Sequence, residues 1–344
     1  MRKIKKILAI ALLMFVLVSA AACEKTSSGN VSDGTSKDNM SSNSSSGKVI
    51  KIGIAQLVEH PALDSAREGF IEALKEAGYE DGKNIRIEVQ NAQGDVTNAQ
   101  TIARKFADEK VDMILAIATP AAQAAANVTK DIPILITAVT DPVKAGLTES
   151  LEKPSGNVTG TTDMNPVAEQ LKLIKELVPD AKNVGVLYNS GEVNSIVQVD
   201  IAKEVASELG FTIVEATVTN SSEVSQATQS LMGRVDAIYI PTDNTIVSAV
   251  GAVIKVANEY KIPVIGSERG QVDAGAVAAK GIDYKELGKQ TGQIAVEIIK
   301  GKKPQDIPIE GAKNVSLIIN QSAAETIGLT IPKDLLDKAD EIIE

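Results

Sequence analysis

From Val49 onward, short β-branched apolar runs alternate with longer stretches whose apolar positions recur every three or four residues. VIKIGIAQ (49–56) predicts a strand, and ALDSAREGFIEALKEAGY (62–79) an amphipathic helix closed by Gly78. IRIEVQN (85–91) predicts the next strand, and 96–109 the next helix. VDMILAIA (111–118) is apolar nearly throughout, as a strand covered on both faces must be. A helix over 121–129 and a buried strand IPILITAV (132–139) complete a βαβαβαβ set. The rhythm then restarts with a helix near 167–177, NVGVLYN (183–189), a helix near 195–209 and FTIVEATV (211–218). A helix near 222–232, VDAIYIPT (235–242), a helix near 245–260 and IPVIGSE (262–268) follow.

Two such sets predict an α/β protein of two doubly wound parallel-sheet lobes with right-handed crossovers. GNVTGTTD (156–163) reads as a first crossing between lobes and AGAVAAKGIDY (274–284) as the return, with a helix over 284–300 rejoining the first lobe. NVSLIIN (314–320) reads as a further crossing. The expected lobes are 48–163 with 281–310, and 164–280 with 311–344. A chain that crosses repeatedly forms a hinge, the arrangement of clamshell binding proteins.

The first 47 residues break this pattern. MRKIKK, the apolar run ILAIALLMFVLV and the small residues Ser19 to Ala22 have the layout of an export signal, too short to span a bilayer comfortably. The single cysteine, Cys23, follows directly, as in the lipobox of bacterial lipoproteins, although Ala20 stands where leucine is usual. A lone cysteine forms no internal disulfide, so lipidation is the expected use. Residues 24–47 are Ser-rich and nearly devoid of apolar side chains, which predicts a disordered tether reaching roughly 25–30 Å. The expected location is therefore the extracytoplasmic face of the cell membrane, held through Cys23.

Charge and composition then exclude function classes. The net charge is −10, and the leader carries four cations and no acid, so the remainder is more acidic still. An acidic surface repels phosphates, which argues against nucleic acid as a partner. His60 is the only histidine and no cysteine remains beyond Cys23, so no metal and no cofactor are expected. No GxSxG, HExxH or P-loop is present, and an extracytoplasmic hydrolase is the weaker alternative to a binding protein. A monomer is expected.

In an open parallel sheet, ligands bind beyond the carboxyl ends of the strands. Those ends carry Gln56, Glu59 and His60; Thr119, Pro120 and Ala121; and Thr140 and Asp141. In the second set they carry Asn189, Glu192, Asn194 and Ser195; Thr242, Asp243 and Asn244; and Ser267 and Glu268. Thr119 suits a helix cap and Pro120 the first turn, so free N–H groups there would hold a ligand carboxylate; an ordinary cap with nothing bound is the alternative. A ligand ammonium needs a carboxylate. Asp243 is the first choice, with Asp141, Glu268 and Glu192 behind it, and each has the alternative of capping a helix or pairing with a nearby cation. On that choice, Asp243→Ala is expected to weaken binding by about 2–5 kcal/mol.

Together, QLVEHPALD, IATPAAQAA, ITAVTDPVKAGL, GNVTGTTD, LYNSGEVNS, IPTDNT and IDYKELGKQTGQ resemble the ABC-transporter substrate-binding lipoproteins of the tryptophan/tyrosine-binding type. The resemblance spans nearly all of the chain after Val49. It implies a type I periplasmic-binding-protein fold, an aromatic amino acid as ligand, and a membrane permease with a cytoplasmic ATPase as partners. Aromatic residues make up only 3% of the chain and tryptophan is absent. The ring slot is therefore expected to be aliphatic, with Tyr188, Tyr239 and Phe70 as candidate aromatic walls or core residues. A sugar or nucleoside is the alternative ligand, and a surface adhesion or sensory role the alternative function.

Overall fold

The computed structural model describes residues 49–344. The expected signal, Cys23 and tether lie outside the described residues. The first half runs β1 (Ile50–Gln56), α1 (Pro61–Glu76), β2 (Ile85–Asn91), α2 (Val96–Asp108), β3 (Met113–Ile117), α3 (Thr119–Val128), β4 (Ile134–Val139) and β5 (Val158–Thr162). It continues with α4 (Val167–Leu177), β6 (Asn183–Asn189), α5 (Val193–Leu209), β7 (Thr212–Val218), α6 (Val224–Leu231) and β8 (Ala237–Tyr239). Then come α7 (Asn244–Ser248), α8 (Val250–Glu259), β9 (Val264–Gly266), α9 (Arg269–Asp273), β10 (Ala278–Ile282) and α10 (Tyr284–Ile299). β11 (Glu310–Gly311), β12 (Val315–Asn320), α11 (Gln321–Ile327), α12 (Lys333–Leu336) and β13 (Glu341–Ile343) close the chain.

The strands form two sheets, ordered β11-β5-β4-β3-β1-β2 and β13-β12-β10-β9-β8-β6-β7. Both have the doubly wound order that the alternating pattern predicts. β3 and β4 are buried along their whole length, because helices cover both faces of the first sheet. The two sheets have separate cores, one around Ile54, Phe70 and Leu115, the other around Val186, Tyr239 and Ile265. Among the described residues, no helix is long and apolar enough to cross a membrane.

The chain passes between the sheets three times: after β5, between β10 and α10, and between β11 and β12. One strand departs from the all-parallel expectation. β12 pairs antiparallel with β10, Ala278 opposite Ile319 and Ile282 opposite Val315. The short connection from β11 delivers it at the carboxyl end of β10, so it has to run back the other way. α10 returns to the first sheet and packs on α1.

At the β4–β5 pair the register slips between Ile136 and Val139. Gly160 (φ 137°) permits it, since a Cβ there would stand 2.1 Å from the carbonyl oxygen of Ile136. The slip leaves Ala138 with φ 55° at the carboxyl end of β4.

Candidate functional site

Two buried acids organise the second-lobe wall of the cleft. Asp243 is the extended N-cap of α7, and its Oδ1 accepts from the Ile246 N–H at 2.7 Å. Its Oδ2 accepts from the Asn189 N–H and the Ser195 hydroxyl, each at 2.6 Å. Glu192 Oε1 accepts from the Thr245 hydroxyl at 2.8 Å, and Oε2 accepts from the side-chain amides of Asn194 at 3.1 Å and Asn244 at 2.5 Å. These carboxylates tie the starts of α5 and α7 to the end of β6, where unpaired helical N–H groups favour negative charge.

The opposite wall comes from the first lobe and the crossings. His60 is the N-cap residue of α1 but makes no side-chain cap. Thr140 donates to Asp163 Oδ1 at 2.9 Å, and the Tyr284 hydroxyl donates to Asp163 Oδ2 at 2.7 Å. Glu268 belongs to the second lobe: it follows β9, beside Ser267, whose N–H is fixed by Gln271 Oε1 at 2.6 Å.

Between these walls lies a small cavity lined by His60, Leu63, Ala138, Thr140, Asp163, Asn194, Thr242, Asp243, Asn244, Val247, Glu268 and Tyr284. It encloses about 20 Å³, room for roughly one water at the ~10–15 Å³ a water needs. Its chemistry is unusual. Among the described residues seven buried side-chain polar atoms lack a hydrogen-bond partner, and five belong to this lining: both ring nitrogens of His60, Asn194 Oδ1, Thr242 Oγ1 and Glu268 Oε1. A sixth is Thr119 Oγ1, at the start of α3. Folded proteins rarely strand buried polar groups, so their concentration at one place calls for a polar occupant. The lining holds three carboxylates and no lysine or arginine.

Burial dominates the electrostatics. It pushes Glu268 up to about 8, with further pressure from Asp163 and then Asp273. Asp163 is raised by burial, against the hydrogen bonds of Tyr284 and Thr140. Asp243 is raised by burial and then by Glu192, against its three donors. Burial lowers His60 to about 4, with Asn244 and Asp64 pulling weakly the other way, so its ring is neutral near pH 7.

Of the expected site residues, the fold brings His60, Thr140, Asn194, Thr242, Asp243, Asn244 and Glu268 to the cavity. Asn189, Glu192 and Ser195 stand behind them as hydrogen-bond partners. Ser267 is buried below Glu268. Thr119, Pro120 and Ala121 are buried at the first turn of α3 and do not line the cavity. There Ala118, not Thr119, is the cap residue, at φ 81° and ψ 152°, a conformation nearly reserved for glycine. That turn leaves the Thr119 hydroxyl free instead of engaging it as a cap.

Three expected residues are placed elsewhere. Asp141 spends its carboxylate on the N–H groups of Val143 and Lys144. Glu59 is exposed. Gln56 is buried but bonded to Arg67 at 2.5 Å and Asp64 at 2.9 Å. None of the proposed aromatic walls reaches the cavity. Tyr239 donates to Gln170 at 2.6 Å, Tyr188 to Glu215 at 2.6 Å, and Phe70 is fully buried under α10. The aromatic residue there is Tyr284. It and Asp163 belong to the crossing segments 274–284 and 156–163, and each stands where a crossing meets the cleft. Leu63, Ala138 and Val247 carry no sequence signal that separates them from core.

A family model described as "ABC transporter substrate binding protein" matches residues 51–343. A tyrosine-binding protein of Clostridioides difficile is 51% identical over 297 residues, covering 86% of each chain. The structure of a Streptococcus pneumoniae ABC domain in complex with L-Trp overlays with a TM-score of 0.83 at 38% identity, covering 86% of this chain and all of that one. The ligand-free, open structure of a Clostridium difficile substrate-binding protein with adhesive properties overlays at 0.66 with 50% identity, covering 86% and 99%. More distant solute-binding proteins, at 16% and 18% identity, share the type I periplasmic-binding fold at a TM-score of 0.60. Two α/β lobes around a polar cleft, with a family match over residues 51–343, make this protein a member of the ABC transporter substrate-binding protein family.

Proposed function

We propose that the protein captures an aromatic amino acid, tyrosine or tryptophan first among them, by closure of two lobes, and delivers it to an ABC permease driven by a cytoplasmic ATPase. The observation that carries this reading is the set of unpartnered buried polar atoms gathered on one cavity. They match a zwitterion's needs. Glu268 Oε1 and Asn194 Oδ1 are open acceptors for an ammonium, with Asp163 nearby. Outside that lining, at the start of α3, the buried Thr119 hydroxyl is an open donor for a carboxylate. Leu63, Ala138, Val247 and Tyr284 supply the surface for a ring. Asp243 is a weaker ammonium partner than its sequence position suggests, since protein donors already occupy both its oxygens.

The moving bodies in this reading are 48–163 with 281–310, and 164–280 with 311–344. The cavity has to widen to admit any amino acid, because it holds only about 20 Å³. Lobe separation also accounts for the overlay values: the more similar sequence, in an open form, fits worse than the less similar one with L-Trp bound. A lipid anchor at Cys23 would hold the protein beside its permease. The adhesive properties of the C. difficile relative favour a second role in surface contact.

The test is a thermal-shift screen across the amino acids, several sugars and nucleosides, followed by calorimetry. A ligand at one hundred times its dissociation constant adds about 2.7 kcal/mol of stability. Shifts confined to aromatic amino acids support the reading. Shifts with sugars or nucleosides alone reject it.

A further inference from the structure

We propose that Glu268 makes closure of the lobes conditional on a cation in the cleft: the protein shuts on an ammonium-bearing solute or on a proton, and stands open otherwise. The identity of the solute rests on the reading above; the interlock does not.

The geometry singles out Glu268 among the cleft acids. Asp163, Asp243 and Glu192 each accept hydrogen bonds from protein donors that stabilise a negative charge. Glu268 is 2% exposed, and its Oε1 has no partner. Among the described residues, no cation comes to its aid. Arg269, next in the chain, turns outward to Glu341 and Asp273. Lys285 and Lys289 hold Glu72, and Lys280 holds Glu169. The charged and titratable groups that do face Glu268 deepen the problem: Asp163 from the first crossing, Asp273 on α9, Tyr284 at the start of α10, and neutral His60 with Asp243 across the cavity. An unpaired carboxylate sealed among like charges is among the least favourable groups to bury.

What seals it is the other lobe. The start of α9 meets the start of α1, so that a Cβ on Gly270 would lie 3.3 Å from Pro61 and 3.4 Å from Glu268 Oε1. When the lobes part, Pro61 and His60 leave and water reaches the carboxylate. Closing again has three routes: bury the bare charge, take a proton from solvent to form the Oε–H bond, or bring in an ammonium. The first is strongly disfavoured, and the other two each supply the missing cation.

The sign follows. A solvated glutamate titrates near its ordinary 4.5, and Glu268 in the closed form near 8. Closure without solute is therefore favoured up to tenfold per pH unit as pH falls from about 8 towards 4.5, and is independent of pH above that window. His60 titrates at about 4, at the bottom edge of the window.

The test places spin labels at Thr97→Cys and Ser221→Cys in the full chain carrying Cys23→Ser. Ser221 lines the outer mouth of the cleft, and Thr97 lies just beyond Gln93 and Gly94 on the facing lip. Without solute, the distance distribution is expected to be wide at pH 8.5 and to shift to the narrow, closed form at pH 5.5. E268Q is expected to be narrow at both, while D163N, which removes a like charge pressing on Glu268, keeps the pH response but displaces it to lower pH. At pH 8.5, L-tyrosine closes the wild type and 3-(4-hydroxyphenyl)propionate, which lacks the ammonium, does not. That discrimination, about a hundredfold or more for loss of a buried charge partner, falls at least tenfold in E268Q.

A wild-type distribution that ignores pH overturns the interlock, and so does an E268Q distribution that matches wild type at pH 8.5. Loss of the pH response in D163N transfers the role to Asp163 and rejects Glu268. Should E268Q not fold, the wild-type titration decides alone. L-tyrosine failing to bind while closure still follows pH removes the aromatic reading and leaves the interlock; tyrosine binding without a pH response does the reverse.

Discussion

Asp243→Ala separates a structural acid from a ligand-binding one. The side chain is 1% exposed and holds three donors: the Ile246 N–H at 2.7 Å, the Asn189 N–H at 2.6 Å and the Ser195 hydroxyl at 2.6 Å. Losing the α7 cap costs about 1 kcal/mol. Stranding two more buried donors costs about 1–3 kcal/mol each. Against this, the variant is relieved of a buried charge that Glu192 repels. The net expectation is about 3 kcal/mol of lost stability, a fall of roughly 6–12 °C in melting temperature. Asp243→Asn keeps a cap acceptor and should lose less than half as much. Thermal unfolding followed by circular dichroism measures both. A melting point for Asp243→Ala within about 1 °C of wild type would refute the reasoning, since it would mean that the three donors find other partners or contribute nothing.

Thr119→Val removes a buried hydroxyl that has no partner, so unfolding stability should hold within about 0.5 kcal/mol while amino-acid affinity, measured by calorimetry, falls about tenfold; unchanged affinity would exclude the start of α3 as the carboxylate site. His60 is lowered from 6.5 to about 4 by burial, so the unfolded chain binds its proton first. Its contribution is full above pH 6.5 and is lost as pH falls to about 4, on the order of 3 kcal/mol; chemical denaturation of wild type and His60→Gln across pH 4–7 isolates it, and parallel curves reject it. Gly288→Ala, ordinarily a gain inside a helix, should here destabilise by about 2–3 kcal/mol, because the added Cβ would stand 2.0 Å from the backbone oxygen of Ala66. A raised melting temperature would show that α1 and α10 can move apart without loss.

Period and polarity along the chain were enough for most of the long elements and the two-lobe class, but not for the short α9, β11, α11, α12 and β13 or for the break between α7 and α8. An apolar run such as VDMILAIA has few folded fates other than a strand covered on both sides, and the turns after such strands must come out at one edge of each sheet. Local patterning also explains what it missed. Nothing in TTD or IDY distinguishes a crossing residue that faces the cleft from one that merely spans it, so Asp163 and Tyr284 became visible only when β5 and α10 were brought together. Asp243 and Glu268 look alike in sequence, each an acid after a strand. Their difference is set by partners 48 to 54 residues distant for Asp243 and by the absence of any for Glu268 Oε1. Tyr188 and Tyr239 looked available for a ring until Glu215 and Gln170 claimed their hydroxyls. Hydrophobic burial acts on the period of a single segment and is therefore legible in order along the chain; hydrogen-bond satisfaction depends on which distant segments share a space, and only the folded arrangement decides that.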